Sequence, residues 1–157
     1  MDVAFGTGEG AFGDDDWAHA LGGTHFVLDL EGEIISHASV VERALEIGGQ
    51  PYRTGYVEAV ATAPERQGRG HGTVAMRAAT ESIRGSFELG ALGTGAHGFY
   101  QRLGWQTWLG PMFVRSDTGL TRTPEEEGYL LVLETSSSPP FELTEPISCE
   151  WRSGDVW

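Results

Sequence analysis

The chain has 157 residues, 39% of them hydrophobic and 21% charged, and a formal net charge of −13. That length suits one domain with its own core; no apolar run approaches the roughly 20 residues of a membrane span, and Met1-Asp2-Val3-Ala4-Phe5 lacks the basic and apolar regions of a signal peptide. The acidic balance disfavours nucleic acid and anionic membranes and favours cationic partners, while a lone Cys149 rules out an intrachain disulfide and suits a reducing, cytoplasmic location.

In chain order, Asp14 to Gly23 reads as a short helix capped by aspartate and closed by glycine. His25 to Leu30 and Glu33 to Val41 form a hairpin about Glu31-Gly32. Gly48-Gly49-Gln50-Pro51 turns into a strand from Tyr52 to Ala61. A glycine-rich loop follows, then a helix from His71 to Arg84 with Val74, Ala75, Ala78, Ala79, Ser82 and Ile83 on its apolar face. Ser86 to Leu92 is the next strand, and Gly98 to Leu103 a short helix stopped by Gly104. Trp105 to Val114 and Tyr129 to Glu134 are strands joined by 116–128, and Ser136 to Pro140 is a loop. Strands interrupted by one long helix predict a mixed α+β domain over 1–157, a largely antiparallel sheet with flanking helices.

The loop Pro64-Glu65-Arg66-Gln67-Gly68-Arg69-Gly70-His71-Gly72 carries the most functional information. Glycines opening a helix point backbone N–H groups and the positive end of the helix dipole at one spot, a site suited to phosphate. The spacing fits neither a P-loop nor a Rossmann glycine pattern. All ten basic residues are arginine, and Arg66, Arg69, Arg77 and Arg84 lie in this loop and the following helix. An acidic chain thus keeps its positive charge beside the loop. A plain glycine-rich helix cap accounts for the same residues, since 23 of the 157 are glycine.

Gln67 to Gly72 resembles the Arg/Gln-x-x-Gly-x-Gly/Ala pyrophosphate loop of the GNAT-type, acetyl-CoA-dependent N-acetyltransferases. Phe99-Tyr100-Gln101-Arg102-Leu103-Gly104-Trp105 resembles that superfamily's downstream tyrosine signature. Asp16-Trp17, Leu21-Gly22-Gly23, Gly55-Tyr56-Val57-Glu58, Thr121-Arg122-Thr123-Pro124 and the ending Trp151-Arg152-Ser153-Gly154-Asp155-Val156-Trp157 look like the aminoglycoside 2′-N-acetyltransferases. The likeness runs from about Gly10 to Trp157.

The resemblance implies acetyl-CoA as co-substrate and no metal. It implies pantetheine hydrogen-bonded to backbone at Val60 and Ala61, and pyrophosphate on the loop with Arg66, Gln67, Gly68, Arg69, Gly70, His71 and Gly72 as the binding residues. It transfers acceptor contacts to Asp16, Glu58, Glu126, Asp155 and the terminal carboxylate of Trp157. Such carboxylates pair well with a polycationic sugar. Each has an ordinary explanation too: a helix cap at Asp14 to Asp16, a solvated run at Glu125 to Glu127, a loose tail at 155–157. Against a loose tail stands the cost of leaving Trp151, Val156 and Trp157 in water, so the tail is expected to dock.

Acetyl transfer to an ammonium needs a base, donors for the oxyanion and a hydrogen bond for the departing thiolate. Glu58, a carboxylate on an apolar strand just before the loop, is the candidate base, acting directly or through water. The alternative is that it only attracts the substrate cation. Tyr100 is the candidate acid, a phenol of ordinary pKa near 10 against a thiol near 8.5; a packed core tyrosine is the alternative. His19, His25, His37, His71 and His97 show no metal-ligand spacing.

Two departures from the family pattern are visible. Only about ten residues, rich in glycine, precede the Asp14 segment, so the usual first strand is expected to be missing; an exposed edge would then favour a homodimer. The 93–98 segment is shorter than the family's serine-rich approach to the tyrosine helix. Three functions fit these residues: acetylation of an aminoglycoside amine by direct attack, conferring resistance; acetylation of a polyamine or other small amine; or a non-catalytic module binding CoA or a cation.

Overall fold

A computed structural model describes residues 18–157. The expected cap at Asp14 to Asp16 and the expected lack of a first strand fall outside the described residues. Strands β1 (Thr24–Leu30) and β2 (Glu33–Ile47) form an antiparallel hairpin. Its two-residue turn requires left-handed backbone at both central positions. Glu31 (φ 55°) and Gly32 (φ 88°) provide it, and the Asp29 carboxylate accepts the Gly32 N–H at 3.1 Å. Gly48 (φ 58°) and Gly49 (φ 83°) repeat the device between β2 and β3 (Gln50–Thr62). β2 runs past its predicted end at Val41 because Glu42-Arg43 does not leave the sheet; Arg43 turns inward and is buried.

Contacts divide the described residues into two compact units, one of residues through Val41 with Val57–Ser82, the other of Glu42–Tyr56 with Ile83–Trp157. In the first, β2 side chains meet β3 carbonyls: Ser39 Oγ donates to Glu58 O at 3.0 Å and Ser36 Oγ to Ala61 O at 3.2 Å. A 3₁₀ turn at Pro64–Arg66 leads to helix α1 (His71–Ser86). Its buried stripe is Ala75, Met76, Ala79, Thr80 and Ile83, whereas the predicted Val74 and Ala78 are exposed. The stripe is turned by one position: Met76, the largest apolar side chain in the helix interior, is fully buried in Val74's place.

The second unit adds β4 (Leu89–Gly93), helix α2 (His97–Gln101), β5 (Gln106–Thr107), β6 (Met112–Ser116), β7 (Gly119–Arg122), a 3₁₀ turn at Pro124–Glu126, β8 (Leu130–Glu134) and β9 (Ile147–Glu150). Hydrogen-bonded neighbours run in the order β5-β8-β4-β3-β2-β9-β6-β7, with β1 on β2. β3 pairs parallel with β4 from Thr54↔Leu89 to Tyr56↔Ala91, and α1 is the crossover that a parallel pair requires. β6 is parallel to β9, while β2–β9, β4–β8, β5–β8 and β6–β7 are antiparallel. The largely antiparallel mixed sheet matches the α+β expectation.

Besides the end of β2, other stretches differ from the sequence reading. β4 begins at Leu89 rather than Ser86, because α1 continues and the Phe87 N–H still bonds to Ile83 O at 2.9 Å. The strand expected over Trp105 to Val114 breaks in two, because Leu109 and Gly110 N–H both turn to Leu143 O, at 2.9 and 3.0 Å. β7 and β9 occupy stretches read as loop and tail: β7 is exposed throughout and β9 mostly buried, so neither shows alternation.

The core of this unit gathers Trp105, Trp108, Leu89, Met112 and Leu130 to Leu133, all almost fully buried. Phe141 lies 5.9 Å from the Trp108 ring and edge-on to Tyr52 at 6.0 Å, so the 135–146 segment is tied down by aromatic contacts. Gly110 approaches backbone most closely: a Cβ there would stand 2.0 Å from Glu145 O. Gly110→Ala is therefore expected to cost about 3 kcal/mol of stability by overpacking, read as a lowered urea midpoint at unchanged slope. No helix among the described residues is long and apolar enough to cross a membrane.

Candidate active site

The glycine loop lies where the sequence places it, between β3 and α1. Gly68 (φ 72°) and Gly70 (φ 83°) are left-handed, and a Cβ at either would meet nothing within 4 Å, so the backbone there is open. Gln67 Nε2 donates to Thr62 O at 3.2 Å and fixes the loop's entry. The first bond of α1 runs from Val74 N–H to Gly70 O at 3.2 Å. N–H groups of His71, Gly72 and Thr73 therefore belong to the set that a helix start cannot satisfy internally. The first turn carries no acidic residue. Arg69 is exposed and Arg66 half-buried. This is a loop that a diphosphate fits by charge, donors and space.

Glu58, Val60 and Ala61 are half-buried on β3 ahead of the loop. Between them, Ala59 has φ 58°, a left-handed residue inside a strand. Its carbonyl lies 2.7 Å from His37 Nδ1, and His37 Nε2 lies 2.8 Å from His25 Nδ1. A carbonyl only accepts, so His37 carries its proton on Nδ1 and takes one from His25 on Nε2. Burial holds the His37 pKa below its ordinary value.

Tyr100 sits in α2, buried, with the Phe99 ring edge-on at 4.8 Å. Burial pushes its phenol up to about 12, so it stays protonated as a donor across the working range. The tyrosine signature has a structural reason. Gly104 is left-handed at φ 97°, which returns the chain so that Leu103 and Trp105 N–H both bond to Tyr100 O, at 2.9 and 3.3 Å. Trp105 then enters the core.

Glu126, Asp155 and Trp157, far apart in sequence, line one cavity of about 180 Å³ with Gly93, Met112 and Tyr129. Burial, then the charges of Asp155 and Glu125, raise the Glu126 pKa. Like charge beside a half-buried carboxylate is the kind of strain that a cation placed there would relieve. The tail docks as expected: Trp157 is buried and its Nε1 donates to Thr123 Oγ1 at 3.0 Å. Thr123 Oγ1 in turn donates to Met112 O at 3.3 Å. The Thr-Arg-Thr-Pro segment and the tryptophan tail are thus one feature. Trp151, expected to dock, is 62% exposed; its backbone N–H bonds to Arg115 O, but the residue lies just past the end of β9. Asp16 lies outside the described residues.

The sequence profile of the acetyltransferase (GNAT) family matches residues 4–105. The chain belongs to that family. An aminoglycoside 2′-N-acetyltransferase of Mycolicibacterium fortuitum is 44% identical over 153 residues, which span 95% of this chain and 78% of that protein. Among solved structures, a GNAT family acetyltransferase from Brucella melitensis in complex with acetyl-CoA shares the fold, at 20% identity and a TM-score of 0.56 over 87% of this chain and 70% of that one. A GCN5-related N-acetyltransferase from Kribbella flavida is 26% identical with a TM-score of 0.50, covering 54% of this chain; only 22% of that longer protein is matched.

Sequence reasoning did not pick out Tyr129, Gly93 or His37. Tyr129 is 53% exposed, and only its place on the cavity wall distinguishes it from a surface aromatic. Gly93 lines the cavity, and a Cβ there would make ordinary contact with the Trp157 carbonyl carbon and the Tyr56 hydroxyl, both at 3.6 Å. His37 lies in a stretch of β2, Ile35 to Val40, that is buried on both faces, and its residue type alone gives no signal.

Thr123→Val keeps the shape but leaves Trp157 Nε1 without its acceptor, an expected loss of about 1–3 kcal/mol by urea denaturation. His37 adds an acid dependence. Its folded pKa lies below the unfolded value near 6.5, so its contribution is fully present above about pH 6.5 and is lost as pH falls through the folded value. Urea midpoints between about pH 8 and pH 5 are expected to fall less steeply in His37→Asn than in the wild type.

Proposed function

We propose that the chain acetylates an amine of an aminoglycoside, the 2′-amine by preference, with acetyl-CoA as donor, and so confers resistance. The observation that carries this reading is the acidic cavity of Glu126, Asp155 and Trp157, in a chain 44% identical to an aminoglycoside 2′-N-acetyltransferase. A half-buried Glu126, its pKa raised by burial and by the Asp155 charge, favours a ligand with ammonium groups. Tyr129 on the cavity wall offers a flat face to a sugar ring or a cation.

In this mechanism Gln67 to Gly72 hold the diphosphate through backbone N–H groups and the dipole of α1, and Arg66 and Arg69 neutralise its charge. Val60 and Ala61 pair with the pantetheine arm through their backbone. When bound, acetyl-CoA supplies a thioester carbonyl open to the amine. Glu58 takes the ammonium proton, directly or through water. Tyr100 keeps its proton and presents it to the departing sulfur. Asp16 joins the acceptor contacts on the strength of the family pattern. A covalent acyl-cysteine route has no support: Cys149 is fully buried, its thiol is pushed up to about 11, mainly by burial, and its Sγ donates to Val156 O at 3.3 Å. Direct attack is the route the residues favour.

Thiol release from acetyl-CoA with kanamycin B, kanamycin A and spermidine tests the acceptor. Kanamycin B has an amine at the 2′ position and kanamycin A a hydroxyl, so turnover is expected with the former in strong preference. Turnover with spermidine alone overturns the aminoglycoside reading. Glu58→Gln is expected to lower kcat about 100-fold or more and Tyr100→Phe about tenfold or more. Trp157→Ala is expected to raise KM for the aminoglycoside while leaving that for acetyl-CoA unchanged.

A further inference from the structure

The left-handed residue beside Glu58 needs an explanation, because nothing in an Ala-Val-Ala strand favours it. For a non-glycine residue this conformation is sterically unfavourable, and such residues persist only where their surroundings over-determine them. We propose that His37 is a positioning residue for acetyl transfer: its Nδ1–H holds the Ala59 carbonyl and so maintains the kink that aims Glu58. This rests on Glu58 acting as the base, as proposed above.

Four observations support the assignment. His37 is 6% exposed, and its ring nitrogen meets Ala59 O at 2.7 Å, a short contact for a neutral donor. His25, on β1, lies 2.8 Å from the other ring nitrogen, which is left to accept once Nδ1–H is committed to Ala59. Neighbouring β3 carbonyls are held from the same strand, Glu58 O by Ser39 and Ala61 O by Ser36, so the segment is anchored on both sides of the kink. Ser36 Oγ also lies 3.0 Å from Thr62 Oγ1, next to the carbonyl that fixes Gln67. A left-handed residue inside a strand redirects the side chains on either side of it. Without the kink, Glu58 and Val60 would follow the plain alternation of a strand.

His37→Asn places an amide donor close to where Nδ1 stands, whereas His37→Leu removes the donor at similar volume. The leucine variant is expected to lose about tenfold or more in kcat, with KM for acetyl-CoA within about twofold of wild type, as befits a misaimed base. The asparagine variant is expected to recover most of that loss. Equal losses in both variants at matched thermal stability, or an unchanged kcat in the leucine variant, would overturn the proposal. If the leucine variant does not fold, His37→Met, which likewise has no donor, takes its place under the same criteria. A crystal structure of the donor-less variant gives a readout independent of turnover: Ala59 is expected to leave positive φ, and retention near 58° refutes the role of His37. Absence of acetyl transfer by the wild type to any amine would count against the proposed function, and the crystal structure would still decide whether His37 holds the kink.

Discussion

A strand residue at positive φ has to be held there, and at Ala59 the hold is a buried imidazole bonded to the carbonyl at 2.7 Å. Much of the first unit is arranged around that contact. β1 and its Glu31-Gly32 turn bring His25 to the second ring nitrogen of His37. Ser36 and Ser39 hold the carbonyls on either side. β3 can then leave its kink, run into the Pro64 turn and deliver the glycines to the start of α1. A buried neutral histidine is an acid-sensitive way to build this, since protonation would place two ring N–H groups against each other.

The distribution of charge follows the two ligands. A chain of net charge −13 keeps Arg66, Arg69 and Arg77 in and after the loop, where α1 already presents its positive end. In the second unit Glu126 and Asp155 line a cavity with Thr94, Met112, Tyr129 and Trp157, and no arginine is among its lining residues. A phosphate ester and a polyammonium acceptor need opposite fields, and the immediate lining of each site supplies them: Arg66 and Arg69 in the loop, Glu126 and Asp155 in the cavity.

Order in the acidic cavity comes from hydrogen bonds more than from ion pairs. Arg122 and Glu127 pair at 2.8 Å on the surface, an interaction of small value in water. Trp157, by contrast, is anchored by an indole N–H inside the protein, on a threonine that also serves Met112. Losing such a buried partner costs more than losing an exposed salt bridge. The cavity wall thus depends on Thr123, and the acidic residues are carried on elements that Thr123 ties together.

Local chemistry made a large part of this protein legible from its residues. Two-residue turns at Glu31-Gly32 and Gly48-Gly49, the loop opening α1, and the glycine after Tyr100 each depend on backbone conformations that few residue types adopt, so composition reveals them. Contacts between distant segments have no such signature. Trp157 finds Thr123, Glu126 shares a cavity with Asp155, and His37 meets Ala59 across two strands. The same limit explains the misread elements. β7 and β9 lack alternation because one is wholly exposed and the other mostly buried, and α1 buries Met76 in place of Val74 because the surface it meets, rather than its own periodicity, selects the stripe. Sequence specifies torsion angles residue by residue; which side chains become neighbours depends on packing summed over the whole chain.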